Sequence, residues 1–239
     1  PLIAEVNSHL PAQAGESSLR GRLAAAIEGR VLRRADAVGA VTSTLRDRLI
    51  TRYGLAPECV HVIPNGTVLP NCSRDSVLAT RRSRGVPDDT FLIGYFGSLQ
   101  RYQGVDRLMQ MLTQLPRGRY RLWIGGTGEA ERELKRDCRR LGIEAEVDWL
   151  GALNEDAVSD HAAACQVLTA PYDVGFVHRN GGDPLKALAA LAIDRPLLAT
   201  RLAVLDYVEP DRGELIPRED SESWADAVGR WRGRWLHAG

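Results

Sequence analysis

Three glycine-rich turns punctuate the second half of this chain, and each ends an extended apolar segment and leads toward a helix-patterned one. Phe91-Leu92-Ile93-Gly94-Tyr95-Phe96 runs into Gly97-Ser98, with a helix stripe of Val105, Leu108, Met109 and Leu112 after Gly104. Tyr120-Arg121-Leu122-Trp123-Ile124 runs into Gly125-Gly126-Thr127-Gly128, followed by Ala130, Leu134, Cys138 and Leu141 at helical spacing. The third turn, Gly181-Gly182-Asp183-Pro184-Leu185-Lys186, opens a helix over Asp183–Ile193, with Pro184 suited to a first turn. Strands Val147–Leu150, Gln166–Thr169 and Pro196–Ala199 and a helix over Asn154–Cys165 complete the alternation. Near-continuous apolar runs alternating with amphipathic helices imply a parallel sheet covered on both faces, an α/β doubly wound, Rossmann-like fold. Right-handed crossovers then bring the turns after the strands to one edge of the sheet, where ligands of such sheets bind.

The first third reads the same way. Leu2–Val6, Ala37–Val41 and Val60–Ile63 are strand runs; Leu19, Leu23, Ile27 and Val31 mark one helix and Leu45, Leu49 and Ile50 another. Gly54 is placed to end the second helix in a left-handed cap, and Pro64-Asn65-Gly66 stops the third strand. Residues 67–89 read as a linker with one short helix, on which the Arg81-Arg82-Ser83-Arg84 cluster is expected to be a solvated face. From Ser221, Trp224, Val228, Trp231 and Trp235 fall on one side of a helix, a docking face for core or partner.

Composition excludes several functions. Lys+Arg and Asp+Glu both total 31, and this zero balance argues against nucleic acid as a partner. No apolar run approaches the ~20 residues that span a bilayer, so the chain is expected to be cytoplasmic. Peripheral contact with the inner membrane face is left open. Cys59, Cys72, Cys138 and Cys165 form no C-x-x-C pair, and Cys138 and Cys165 fall on apolar helix sides as small hydrophobes. His61, His161 and His178 have no partner at metal-ligand spacing and are expected to be packing or surface residues. Neither a nucleophile elbow nor a P-loop occurs.

The chemistry belongs to the turns. Glycines let the backbone approach a ligand, and a following helix N-terminus presents free N–H groups to phosphate. The second turn lacks a full G-x-G-x-x-G, since Glu131 holds the third glycine position. Lys186 near a helix N-terminus opposes the macrodipole. Two readings stand for it: a cation held for an anionic ligand, or a tolerated surface lysine.

These motifs resemble the retaining family-four glycosyltransferases of the GT-B fold. Gly94 through Leu99 with Gly104-Val105-Asp106 resembles their glycine-rich loop, and Trp123 through Glu129 their second-strand turn. Trp149 through Leu153 resembles their base-binding loop, and Pro184 through Ala192 their ribose and diphosphate helix. Ala35-Asp36-Ala37-Val38 through Gly66 is similar to the end of their first domain and the interdomain linker. The resemblance implies a remnant of the acceptor domain and linker over 1–69, a nucleotide-sugar donor domain over 70–217, and a helix over 218–239 returning toward the first domain. On that reading the chain is truncated relative to a two-domain enzyme.

The resemblance also implies site residues. Gly97 and Ser98 backbone groups and Lys186 are assigned to a diphosphate, with Gly126, Leu185 and Ala189 around it, and the Ala152-Leu153 backbone to a base. Relatives typically carry a basic pair at positions matching Ser98 and Gln103, for which Arg101 and Lys186 are expected to substitute partly. They also carry two glutamates at positions matching Gly181 and Ala189; losing such a partner costs a ribose hydroxyl about 1.5–3 kcal/mol. Asp173 and His178 flank the stretch where a sugar lies in the family; the resemblance implies no need for a general base there, and the catalytic residues are left unassigned. No metal or other cofactor is implied.

The implied function is transfer of a sugar from an NDP-sugar to an unknown acceptor with retention, given an acceptor domain. The alternative is a degenerate module that binds a nucleotide or a protein without catalysis; a GT-B sugar epimerase fits the linker and third turn less well. Without a full acceptor domain, the Trp231 and Trp235 stripe and the Leu19–Val31 helix are expected to lose their cover. They would then pack on each other, on a partner chain, or in a homodimer.

Overall fold

The computed structural model describes residues 1–15, 17–67, 72–180 and 185–238. The third glycine-rich turn, Gly181 to Pro184, lies outside the described residues. The chain divides into two units, one made of residues 1–66 and 174–185, the other of 67–173 and 186–239.

The first unit is built from β1 (Ile3–Val6), α1 (Leu10–Gln13), α2 (Leu19–Leu32), β2 (Ala37–Ala40), α3 (Ser43–Tyr53) and β3 (Val60–Val62). The three strands pair in parallel in the order β1-β2-β3. Ser18 and Thr42 cap α2 and α3 by accepting from Gly21 N and Leu45 N, and Gly54 ends α3 in the left-handed conformation expected of it. Leu32, Val38, Ala40, Leu45, Leu49 and Val60 form its core. Tyr53 donates to Glu28 Oε2 at 2.5 Å, and burial beside that carboxylate pushes its phenol well up. Leu19 and Leu23 on α2 remain 83% and 61% exposed.

The second unit begins with α4 (Arg74–Ser83) and β4 (Phe91–Phe96), then α5 (Val105–Leu112), β5 (Tyr120–Gly125), α6 (Glu131–Leu141), β6 (Val147–Gly151), α7 (Glu155–Ala163) and β7 (Val167–Ala170). After β7 the chain forms α8 (Val174–Asn180), which belongs to the first unit. It resumes in the second with α9 (Leu185–Ala192), β8 (Leu197–Thr200), β9 (Gly213–Ile216) and α10 (Ser221–Ala238). Six parallel strands lie in the order β6-β5-β4-β7-β8-β9. The order reverses between β4 and β7, so this pair marks the topological switch point where open α/β sheets hold ligands. Thr169 Oγ1 donates to Gly94 O at 2.9 Å across that pair.

Three expectations change. Arg81 is not solvated: it is 7% exposed, and its guanidinium donates to Ala164 O, Gln166 Oε1, Pro87 O and Thr90 O at 3.0–3.2 Å. Carbonyls left unpaired where α7 ends and β4 begins need a donor there, and a guanidinium supplies several at once. Trp231 and Trp235 do not lose their cover, because Trp224 and Val228 are fully buried, Trp231 joins the same core, and Trp235 packs edge-on to Phe91 at 5.7 Å. α10 packs on α5 and β9 within the second unit. Strand β9 is an addition to the expected set.

Candidate functional site

Two turns interlock at the ends of β4 and β5. Gly97 N–H donates to Gly125 O and Leu99 N–H to Thr127 O, both at 2.9 Å. Gly97 and Gly126 have φ of +154° and +131°, and a Cβ on Gly126 would overlap Gly97 O. Only glycine lets the two backbones meet this closely. The bond to Gly125 O occupies the Gly97 amide, so of the Gly97 and Ser98 backbone groups assigned to a diphosphate this one is already paired. Ser98 N–H carries no hydrogen bond among the described residues and remains available.

Lys186, in the first turn of α9, lies across this mouth: a Cβ on Gly97 would overlap its Cε. Its ammonium donates to Gln103 Oε1 at 2.6 Å and lies 3.4 Å from the Tyr172 hydroxyl. It also stands 4.8 Å from the Tyr172 ring centroid and 5.4 Å from that of Tyr95, within cation–π range. Burial lowers its pKa to about 8. Among the described residues no carboxylate makes an ion pair with it. The surface-lysine reading is therefore set aside: this cation is half-buried, held among the described residues by neutral groups, and stands over Gly97 at the switch point.

The surrounding groups are fixed in turn. Tyr95 donates to Ser98 O at 2.7 Å, and burial first, then the neighbouring Tyr172, push its phenol up, keeping it neutral. Gln103 is 6% exposed, with Nε2 3.5 Å from Ser98 Oγ. Arg107 of α5 donates to Pro171 O at 2.8 Å and Tyr172 O at 3.1 Å, and pairs with Asp173 at 3.8 Å and with Glu219. These bonds hold the segment that presents Tyr172. Reading the sequence singled out neither Tyr172 nor Tyr95; their only linear signal is an aromatic beside a turn.

Other candidates sort differently. Arg101 is exposed and paired with Glu133 at 2.8 Å, in a groove between α5 and α6, and does not join Lys186. Leu153 reaches toward Gly125, beside the Phe96 ring, and neither Ala152 nor Leu153 uses its N–H in a bond among the described residues. Leu185 is 55% exposed and Ala189 is half-buried on α9. Asp173 pairs with Arg107 at 3.8 Å, and His178 is exposed on α8, with its backbone carbonyl accepting from Arg48 at 2.6 Å. His161 packs on Trp123 with Nδ1 2.7 Å from Ala157 O, and His61 lies exposed on β3. Cys138 and Cys165 are buried, as expected of small hydrophobes.

Comparison with known proteins places this arrangement. Residues 90–232, more than half the chain, match the family described as glycosyl transferases group 1. The chain belongs to the group 1 glycosyl transferases. Residues 1–66 match the glycosyl transferase 4-like domain. A D-inositol 3-phosphate glycosyltransferase of Saccharomonospora viridis is 29% identical over 217 residues, covering 85% of this chain and 49% of that protein. One from Corynebacterium jeikeium is 30% identical over 219 residues, covering 85% and 50%. The chain thus spans about half the length of the curated relatives it matches. The fold is that of GT-B glycosyltransferases: Anabaena HepE in complex with UDP superposes with a TM-score of 0.78 at 20% identity, over 96% of this chain and 62% of that one. WaaG, a glycosyltransferase involved in lipopolysaccharide biosynthesis, gives 0.78 at 20% identity over 98% and 68%. Among the described residues no helix is long and apolar enough to cross a membrane.

Proposed function

We propose that the second unit is the donor-binding part of a retaining glycosyltransferase that uses a nucleoside diphosphate sugar. The observation that carries this reading is the Lys186 ammonium over Gly97 at the switch point of the sheet, with no ion pair to a carboxylate among the described residues. A cation held there by neutral groups is arranged for an anion brought by a ligand. The diphosphate would take the Ser98 amide and the Lys186 ammonium; the base would lie along the Ala152-Leu153 backbone, and the ribose toward Leu185 and Ala189 on α9. When the bond from sugar to diphosphate breaks, charge grows on the departing oxygen. A preorganised ammonium in a partly desolvated mouth favours that charge more than water does. No residue is assigned as a base, and the acceptor site would be completed by further sequence or by a partner chain.

Solved neighbours holding UDP and UDP-glucose support a sugar nucleotide as the donor class. Calorimetric titration of the chain with UDP, GDP and ADP tests the reading. Micromolar binding of one nucleotide is expected, with loss of at least tenfold in Lys186→Met. Silence toward all three would overturn it in favour of a module that has lost its donor site.

A further inference from the structure

We infer that Gln103 is the positioning residue of this mouth: its amide oxygen holds the Lys186 ammonium over Gly97 and so fixes the one lysine cation that a diphosphate meets there. The inference rests on the donor-site reading above and adds a role at a position that the sequence presents as the loss of a charge.

The chain carries only two lysines against 29 arginines. Lys135 is accounted for, as it pairs with Glu131 four residues earlier at 2.7 Å. Lys186 has instead the Gln103 oxygen at 2.6 Å and the two tyrosines. The Gln103 side chain is buried, the Ser98 hydroxyl faces its nitrogen at 3.5 Å, and its oxygen accepts from the lysine at 2.6 Å and from the Tyr95 hydroxyl at 3.4 Å. A flipped amide would set two donor groups against each other. Ser98 O is in turn fixed by the Tyr95 hydroxyl at 2.7 Å, so the chain of contacts runs from the sheet to the ammonium.

The choice of glutamine has a chemical consequence. A neutral acceptor orients an ammonium and leaves its charge to act on a ligand; a carboxylate at the same distance would orient it and cancel it. Among the described residues, Tyr95 on β4, Tyr102 in the helical turn after it and Tyr172 after β7 are the titratable neighbours, and the acid on that last segment, Asp173, pairs with Arg107. Affinity for a diphosphate should therefore be level near neutrality and fall as pH rises past the lysine's titration, which burial sets at about 8.

The test uses the 239-residue chain with ¹³C-labelled lysine, whose two side-chain signals are assigned with Lys135→Arg. Lys186 is expected to titrate at least one pH unit below Lys135, and Gln103→Glu is expected to raise it by one unit or more. Gln103→Glu should weaken UDP at least tenfold, and Gln103→Met, which keeps the shape without the acceptor, about fivefold or more. If Gln103→Glu fails to fold, Gln103→Met carries the affinity measurement. Lys186 titrating together with Lys135 in the unaltered chain overturns the inference. So does wild-type UDP affinity and pH profile in both Gln103 variants, while Lys186→Met loses binding; that result leaves the donor-site reading intact. Absence of binding by UDP, GDP and ADP to the unaltered chain removes the donor-site reading, and this inference with it, wherever Lys186 titrates.

Discussion

The carbonyl oxygen of Gly97 fills the space where a Cβ of Gly126 would stand. Two turns from neighbouring strands are thereby locked backbone against backbone, with Leu99 N–H on Thr127 O at 2.9 Å as the adjoining rung. Gly126→Ala must separate them and must place alanine at a φ of +131°. A loss of about 2 kcal/mol or more in urea unfolding is expected, together with weaker UDP binding. A variant as stable as the parent would mean that the turns are not in contact.

Arg81 and Arg82 are adjacent in sequence and opposite in consequence. Arg81 satisfies three carbonyls and the Gln166 side chain from a buried position, whereas Arg82 is exposed. Arg81→Ala is expected to cost about 3 kcal/mol, because it strips donors from buried acceptors. Arg82→Ala should stay within about 0.5 kcal/mol. Chemical denaturation of the two variants side by side decides between a structural arginine and a surface one.

Burial lowers Lys186 to about 8 from an ordinary lysine value of 10.5 in the unfolded chain. Below pH 8 both states hold the proton, and the folded state bears the full cost of an enclosed charge. Between 8 and 10.5 the unfolded state binds more protons, so this group makes stability rise with pH in that window. Lys186→Met should be more stable than the parent at pH 7, with the difference shrinking as the pH approaches 10. Melting curves at half-unit intervals would show the convergence; parallel curves would exclude it.

Ala189 stands where the resemblance implies a glutamate facing a ribose. Its half-buried place on α9 leaves the test open to a larger side chain. Ala189→Glu is expected to tighten UDP binding about tenfold, the worth of one charge-assisted hydrogen bond. Unchanged or weaker affinity would show that α9 does not face the ribose.

Much of this molecule was readable before any coordinates. Apolar strand runs alternating with helix stripes gave the parallel sheet, because period and run length are properties of the chain itself. Gly54 ended α3 where expected, since a left-handed cap favours glycine whatever surrounds it. Strand β9 escaped, being four residues of Gly-Glu-Leu-Ile with no alternation to mark it. Arg81 was misread because a run of arginines looks solvated until the carbonyls it must satisfy, from Pro87 to Gln166, are known.

The same division runs through the site. Sequence determined that glycine turns would end β4 and β5 and that a lysine would sit in the first turn of α9, since these are matters of residue type and spacing. Tertiary structure alone decided what the lysine does. Gln103 and Lys186 are separated by 83 positions and meet only because the sheet reverses its order between β4 and β7. The environment that makes an ammonium available to a ligand is assembled across that reversal, from Tyr95 on one side and Tyr172 on the other, and no local pattern in the chain encodes it.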